Sequence, residues 1–590
     1  MSSSLDTGVT LEALRNTLDQ VAKFLSVSLK IANAHTVDFY TNGIWDEFVA
    51  VSPESVLSLL TEQSDTCSGV VREDSKTNFC GFSEDSQKLV DVCLFLHLAR
   101  AHSLNKLLVC STLGELLQKL RNTTLCTPEN KWQLNEFMNT KKSHEVAVMA
   151  EVVSCLAKFC NVRQVIDIGS GKGYLSSCLS MQYGLKVYGI DASSTNTHGA
   201  NERNRKLNKY SKTCQKAKKS NVPKKILETN TKASTEANYN TQDKVEFETS
   251  NMMEDLSQKF QITTFPEASI CLEHIENNTD KDSQDIDCVS EKDTNLFFSN
   301  FSGELVYHPS PRVHPRELSQ EEKERRKQEN LKKKTEYQSS ANVYSPLTSY
   351  ITAETELQEL ISEKEDSVMV GLHTCGDLAP STLKIFTAKS ELKAVCSVGC
   401  CYHLLSEEFD YLQQDGTNGI WGFPMSDYMK QQGWTCGRNA RMSACLALER
   451  VTVGKGLPIE SLFYRAVLHV IIKEHFGTFK SEKRVGNVYA KATSFVDYIR
   501  KSLRKLDLDD TKLSDHVIDD YQIKYRPRIN EMEAFNMLKL TLAPCIEGLI
   551  LLDRLCYLKE QESVSWSALV QLFDPLTSPR CYAVIGIKNS

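Results

Sequence analysis

Apolar residues near the amino terminus recur at helical spacing. Leu11, Leu14, Leu18, Val21, Leu25 and Leu29 fall three or four positions apart, which places them on one face of a helix. Val90, Val92, Leu94, Leu96, Leu98 and Ala99 repeat the pattern more loosely. Residues 9 to about 160 therefore read as helices, and 1–140 as a helical amino-terminal region. The pattern then changes. Residues 162–168 are a short, nearly continuous apolar run, followed by a glycine-rich turn, a helical stretch at 175–183 and a second apolar run at 186–190 that ends at Asp191. Strand, turn, helix and strand in this order open a doubly wound α/β sheet.

The remaining strands come late. Residues 367–372 and 392–398 are again short and apolar, as buried parallel strands are. Helical stretches at 459–475 and 532–560 and a last strand at 582–587 follow, the latter expected as an antiparallel edge. Between these groups the chain is polar. Residues 209–243 and 254–345 read as disordered insertions, with 245–247 as the candidate third strand between them. Residues 141–590 thus form one interrupted α/β domain, a Rossmann-like doubly wound sheet, to which 453–590 add the carboxy-terminal helices and the closing strand.

Composition supports this division. Only 41% of the 590 residues are hydrophobic, and the shortfall falls in the polar stretches rather than in the strands. The net charge of −7 excludes a protein that grips nucleic acid over its whole surface. The cluster Lys216, Lys218, Lys219, Lys224 and Lys225 reads as a solvated linker or a nuclear-localisation patch, and no DNA partner is expected. The 20 cysteines are spread through the chain, and no basic-then-apolar leader or membrane-length apolar run stands out. Reduced thiols and a cytoplasmic or nuclear location, away from membranes, are the expectation.

The densest chemical signal is Asp167, Gly169, Ser170, Gly171, Lys172, Gly173 and Tyr174 at the first strand-to-helix turn. Glycines there let a ligand approach the backbone, and the helix start presents free N–H groups. A dinucleotide loop requires glycine at position 174, where Tyr174 stands. The observed spacing, with an acid two residues before the first glycine, instead resembles the S-adenosylmethionine loop of class I methyltransferases. On that resemblance Asp167 orients the methionine end of the cofactor, and Asp191 at the end of the next strand takes the ribose hydroxyls.

Further stretches narrow the resemblance. They are Lys141, Lys142, His144 and Glu145 before the first strand; His373, Cys375, Gly376 and Asp377 after 367–372; and Cys400, Cys401, Tyr402 and His403 after 392–398. Together with Gly422, Pro424, Ser426, Arg438 and Arg441, they make the chain similar to a family of methyltransferase-like proteins. One relative in that family carries the name of an rRNA adenine dimethylase-like domain. The resemblance implies a methyltransferase and supplies the cofactor more securely than the acceptor.

Adjacent strand ends bring His373, Asp377, Tyr402 and His403 to one crevice. His373 or Asp377 is the candidate base for a hydroxyl or imidazole acceptor, with Lys142 and His144 as supporting groups. The Asn/Asp-Pro-Pro-aromatic signature that cradles a planar amino group is absent. A protein or small-metabolite acceptor is therefore favoured over RNA, although His-x-Cys-Gly and Cys-Cys-x-His also resemble a tRNA 2′-O-methylating family. The alternative from another class is a catalytically silent fold used for interaction. No metal is expected: no Cys-x-x-Cys pair occurs, and adjacent cysteines do not easily face one ion.

Overall fold

The computed structural model describes residues 9–61, 77–121, 138–220, 324–325, 328, 344–363, 365–410, 419–446, 457–477 and 484–589. The candidate strand at 245–247 and most of the polar stretch 254–345 lie outside these residues. Eight strands make one sheet: β1 (Cys110–Thr112), β2 (Gln164–Ile168), β3 (Lys186–Asp191), β4 (Tyr344–Thr348), β5 (Ser367–Thr374), β6 (Leu392–Gly399), β7 (Val564–Gln571) and β8 (Tyr582–Lys588). Their spatial order is β1-β7-β8-β6-β5-β2-β3-β4. Every neighbouring pair is parallel except the two that involve β8.

The doubly wound α/β class follows from the buried, apolar central strands, with all five residues of β2 out of water. Several details differ from the sequence expectation, β1 within the stretch read as helical and the unread β7 among them. β8 is antiparallel but sits between β6 and β7, not at an edge, because β7 follows the last long helix and pairs outside it. The third strand outward from β2 is β4, which starts at Tyr344 inside the stretch read as insertion. Its Pro346 obscures the pattern, and proline is tolerated because β4 is an edge strand. The polar run from 209 also begins as helix, since the helix Ser194–Ser220 runs into it.

The helices that position the site are α1 (Leu11–Asn33), α2 (Thr140–Phe159), α3 (Tyr174–Tyr183), α4 (Ser194–Ser220), α5 (Leu378–Ala388), α6 (Arg438–Ser443), α7 (Ile459–Phe476) and α8 (Ile529–Lys559). Thr10 caps α1 by accepting the Ala13 N–H, and Leu14, Leu18, Val21 and Leu25 are buried. That face packs against α8. The apolar window within Asp515–Lys559 is long enough to cross a membrane but 89% buried in the protein, as befits a core helix. Residues 1–212 and 291–590 form one compact unit with a continuous core, so the amino-terminal helices share that core with the sheet. β1 even extends the sheet beyond β7.

Candidate active site

The chain leaves β2 toward β3 and β4 on one side, while β5 and β6 lie on the other. Their carboxyl ends flank a topological switch point, where open α/β sheets bind ligands. The glycine loop fills this position. Gly169, Gly171 and Gly173 have φ of 72°, 55° and 70°, a region that residues with a Cβ rarely adopt. A Cβ on Gly173 would lie 2.2 Å from the Tyr344 hydroxyl oxygen, whereas one on Gly171 would meet nothing within 4 Å. The loop is therefore packed tightly at its helical end and open in front of Gly171.

Asp191 locks the loop to β3. Its Oδ2 accepts the Gly171 N–H at 2.9 Å, and its Oδ1 accepts the Ser193 N–H at 2.8 Å and the Asn196 side-chain amide at 3.2 Å. A carboxylate offers about four acceptor positions, so roughly one remains, on Oδ2. Gly169 and Ser170 donate to the Ile190 carbonyl, at 2.8 and 3.1 Å, which ties the loop to β3 a second time. Tyr174 lies beneath two cations, with Lys142 4.9 Å and Arg203 4.1 Å from its ring centroid. Lys142 is thereby brought to the glycine loop from α2.

Asp167 is buried at the end of β2, and its Oδ2 accepts the Ser176 hydroxyl at 2.5 Å. Burial pushes this carboxyl up to about 7; the Ser176 hydrogen bond opposes that rise and the nearby Asp191 adds to it. It supports the first turns of α3 from inside.

The candidate catalytic groups separate. His373, at the end of β5 with φ of 62°, places Nε2 2.9 Å from Oε2 of buried Glu145. Burial lowers the affinity of this ring for a proton, but Cys400 and Glu145 outweigh it and raise the imidazole to about 9. Cys375 and Cys401 thiols, with His373, hold Cys400 well below the usual thiol range. Asp377 accepts the Ser406 N–H at 2.9 Å and is raised by burial; it fastens the loop after β6. The Tyr402 hydroxyl donates to Glu547 Oε1 at 2.8 Å inside the protein. His403 approaches the Cys445 sulfur at 3.7 Å and is lowered to about 4 by burial and by Arg438 and Arg441. His144 accepts the Asp574 N–H at 3.2 Å and meets the Phe573 ring edge-on, so it braces the β7–β8 connection. Of the six groups, Lys142 contacts Tyr174 at the end of the glycine loop, whereas Asp377, Tyr402 and His144 are spent on scaffolding.

Sequence reading missed a buried charged framework behind this site. Arg441 and Glu407 are fully buried and paired at 3.2 Å. Arg441 donates to the carbonyls of Tyr402 at 3.1 Å and Leu405 at 2.5 Å, while Glu407 accepts the N–H groups of Cys436 and Gly437. Arg580 joins Glu547 at 3.2 Å. Arg441 was visible as part of a family stretch, but nothing local marks its partner.

Residues 141–408 match the family described as a methyltransferase domain. A human protein named "Probable methyltransferase-like protein 25" is 48% identical over 626 residues, spanning 100% of both chains. This chain belongs to the methyltransferase-like protein 25 family. A mouse member of the family with the same name is 46% identical over 605 residues, covering 98% of this chain and 97% of its own. No solved structure matches. The family's methyltransferase domain ends at 408, so it contains the glycine loop and both cysteine-bearing strand ends, whereas Arg441, Glu547 and Arg580 lie beyond it.

Proposed function

We propose that this protein transfers a methyl group from S-adenosylmethionine to a protein or small-metabolite acceptor. The observation that carries the reading is the open space before Gly171 in a loop locked to Asp191 at the switch point. The residues present fit the cofactor. Gly169, Gly171 and Gly173 let it approach the backbone, and the free acceptor position of Asp191 takes a ribose hydroxyl. When bound, the cofactor supplies an electrophilic sulfonium methyl. The chain's own task is then alignment of the acceptor and exclusion of water, because an in-line displacement needs positioning above all. Tyr174, under Lys142 and Arg203, gives the loop a rigid wall.

Calorimetry with S-adenosylmethionine tests the placement. The wild-type chain binds, and Gly171→Arg, which fills the open space, abolishes binding while the fold persists; unchanged affinity in that variant overturns the reading. Labelled methyl transfer into a lysate lacking the endogenous protein then identifies the acceptor. Label sensitive to protease, or carried by small molecules, supports the proposal. Nuclease-sensitive label makes the acceptor RNA, and tight cofactor binding with no transfer to any fraction makes the fold a silent interaction module.

A further inference from the structure

Three sulfur atoms meet where β5 and β6 end. The Sγ atoms of Cys375, Cys400 and Cys401 all lie within 4.8 Å of one another. Cys375 and Cys401 are 3.2 Å apart and Cys401 and Cys400 3.8 Å apart, with none in a disulfide. The backbone enforces this meeting. Thr374 pairs with Gly399, the Cys400 N–H donates to the Thr374 carbonyl at 3.2 Å, and the Gly376 N–H donates to the Cys401 carbonyl at 3.3 Å. Gly376, at φ of 54°, permits the approach: a Cβ there would lie 2.7 Å from Leu404. Adjacent cysteines that were expected to diverge thus present both sulfurs to one point.

A nitrogen lies beside the set, since the His373 side chain interacts with Cys400. Nδ1 of His373 is buried and has no hydrogen-bond partner. The opposite nitrogen, Nε2, meets Glu145 Oε2 at 2.9 Å, and the other oxygen of Glu145 accepts the Ser578 hydroxyl at 2.6 Å. Metal-binding histidines typically hand their second nitrogen to a carboxylate that is itself hydrogen-bonded, which fixes the tautomer and leaves a lone pair for the ion. His373 also holds a left-handed backbone conformation, a strain of about 1–3 kcal/mol that persists only where surroundings over-determine it.

We propose that Cys375, Cys400, Cys401 and Nδ1 of His373 hold one zinc ion. Three thiolates and an imidazole are a closed tetrahedral zinc set, softer than calcium, magnesium or manganese prefer. Zinc–sulfur bonds of about 2.3 Å place sulfurs roughly 3.8 Å apart. Cys400 and Cys401 already have that spacing, and Cys375 moves outward by about 0.6 Å to reach it. With all four positions filled by protein, the ion clamps two strand ends beside the crevice and takes no part in methyl transfer. His373 is then a ligand, not a base.

The test uses the full chain, purified under reducing conditions without chelators from cells supplied with zinc sulfate. Elemental mass spectrometry finds one zinc per chain. Cys375→Ser and Cys401→Ser lose it, and Cys445→Ser, whose sulfur faces His403, keeps it. Glu145→Gln retains the ligands and weakens zinc binding about 10- to 100-fold in chelator competition. Because a cysteine variant can misfold, the unaltered chain is also exchanged into cobalt(II) chloride. Intense thiolate-to-cobalt charge transfer with tetrahedral ligand-field bands supports the site. Cobalt without a thiolate band, reduced thiols with no zinc, or a Cys375–Cys401 disulfide in the purified protein overturns it. Metal content is read independently of S-adenosylmethionine affinity, so either proposal can fail alone.

Discussion

A single buried carboxyl shows how position changes a residue's chemistry. Asp167 looks in sequence like a cofactor-orienting acid, but β2 carries it inside the protein, where it meets Ser176. Its folded value near 7 stands above the ordinary 3.8, so the folded state binds the proton more tightly than the unfolded chain. The contribution is therefore complete below about pH 4 and is lost as pH rises toward about 7. At about 1.4 kcal/mol per pH unit, the loss approaches roughly 4 kcal/mol. Asp167→Asn removes this slope. Denaturant titration at about pH 4.5 and about pH 7.5 checks it, and an identical change in both proteins would contradict the assignment. The glycines were legible because their spacing is local. The burial of Asp167 was not, since sequence distance from a turn does not reveal which way a strand-end side chain points.

At the scale of elements, the loop after β6 is held by charges that come from elsewhere in the chain. Arg441, on α6, reaches the carbonyls of Tyr402 and Leu405, and Glu407 neutralises it in a site with no exposed surface. Removing one member of a buried pair leaves the other unpaired, a penalty of about 3–5 kcal/mol. Glu407→Gln is thus expected to lower the unfolding free energy by about that amount and to loosen the loop. Chemical denaturation with hydrogen exchange at 400–406 measures both effects; a loss below about 1 kcal/mol would show that the charge is solvated after all. The elements themselves were legible to unequal degrees. β2, β3, β5 and β6 announce themselves as apolar runs, whereas β4 contains Pro346 and β1 has only three residues, and both depend on a neighbouring strand for definition.

For the whole molecule, the amino-terminal helices and the sheet belong to one unit. α1 lies on α8; Asn33 at its end donates to the Cys436 carbonyl at 2.7 Å and accepts the Ala440 N–H at 3.0 Å, while Lys539 of α8 donates to the Ala34 carbonyl at 2.7 Å. A chain beginning at residue 139 uncovers that face of α8 and removes β1. We expect it to aggregate rather than unfold cooperatively, and a soluble, cooperatively melting product in circular dichroism would refute this. Sequence alone determined the α/β class, the glycine-rich turn and the family stretches, because each depends on residues within a few positions of one another. Only the tertiary structure decided which of these residues pair with distant segments. It inserted β8 between β6 and β7, turned Asp377 and Tyr402 into supports, and gathered the sulfurs of Cys375, Cys400 and Cys401 at one point, with His373 held beside them by Glu145. Those outcomes depend on partners from distant segments, and packing the strand ends together is what selects them.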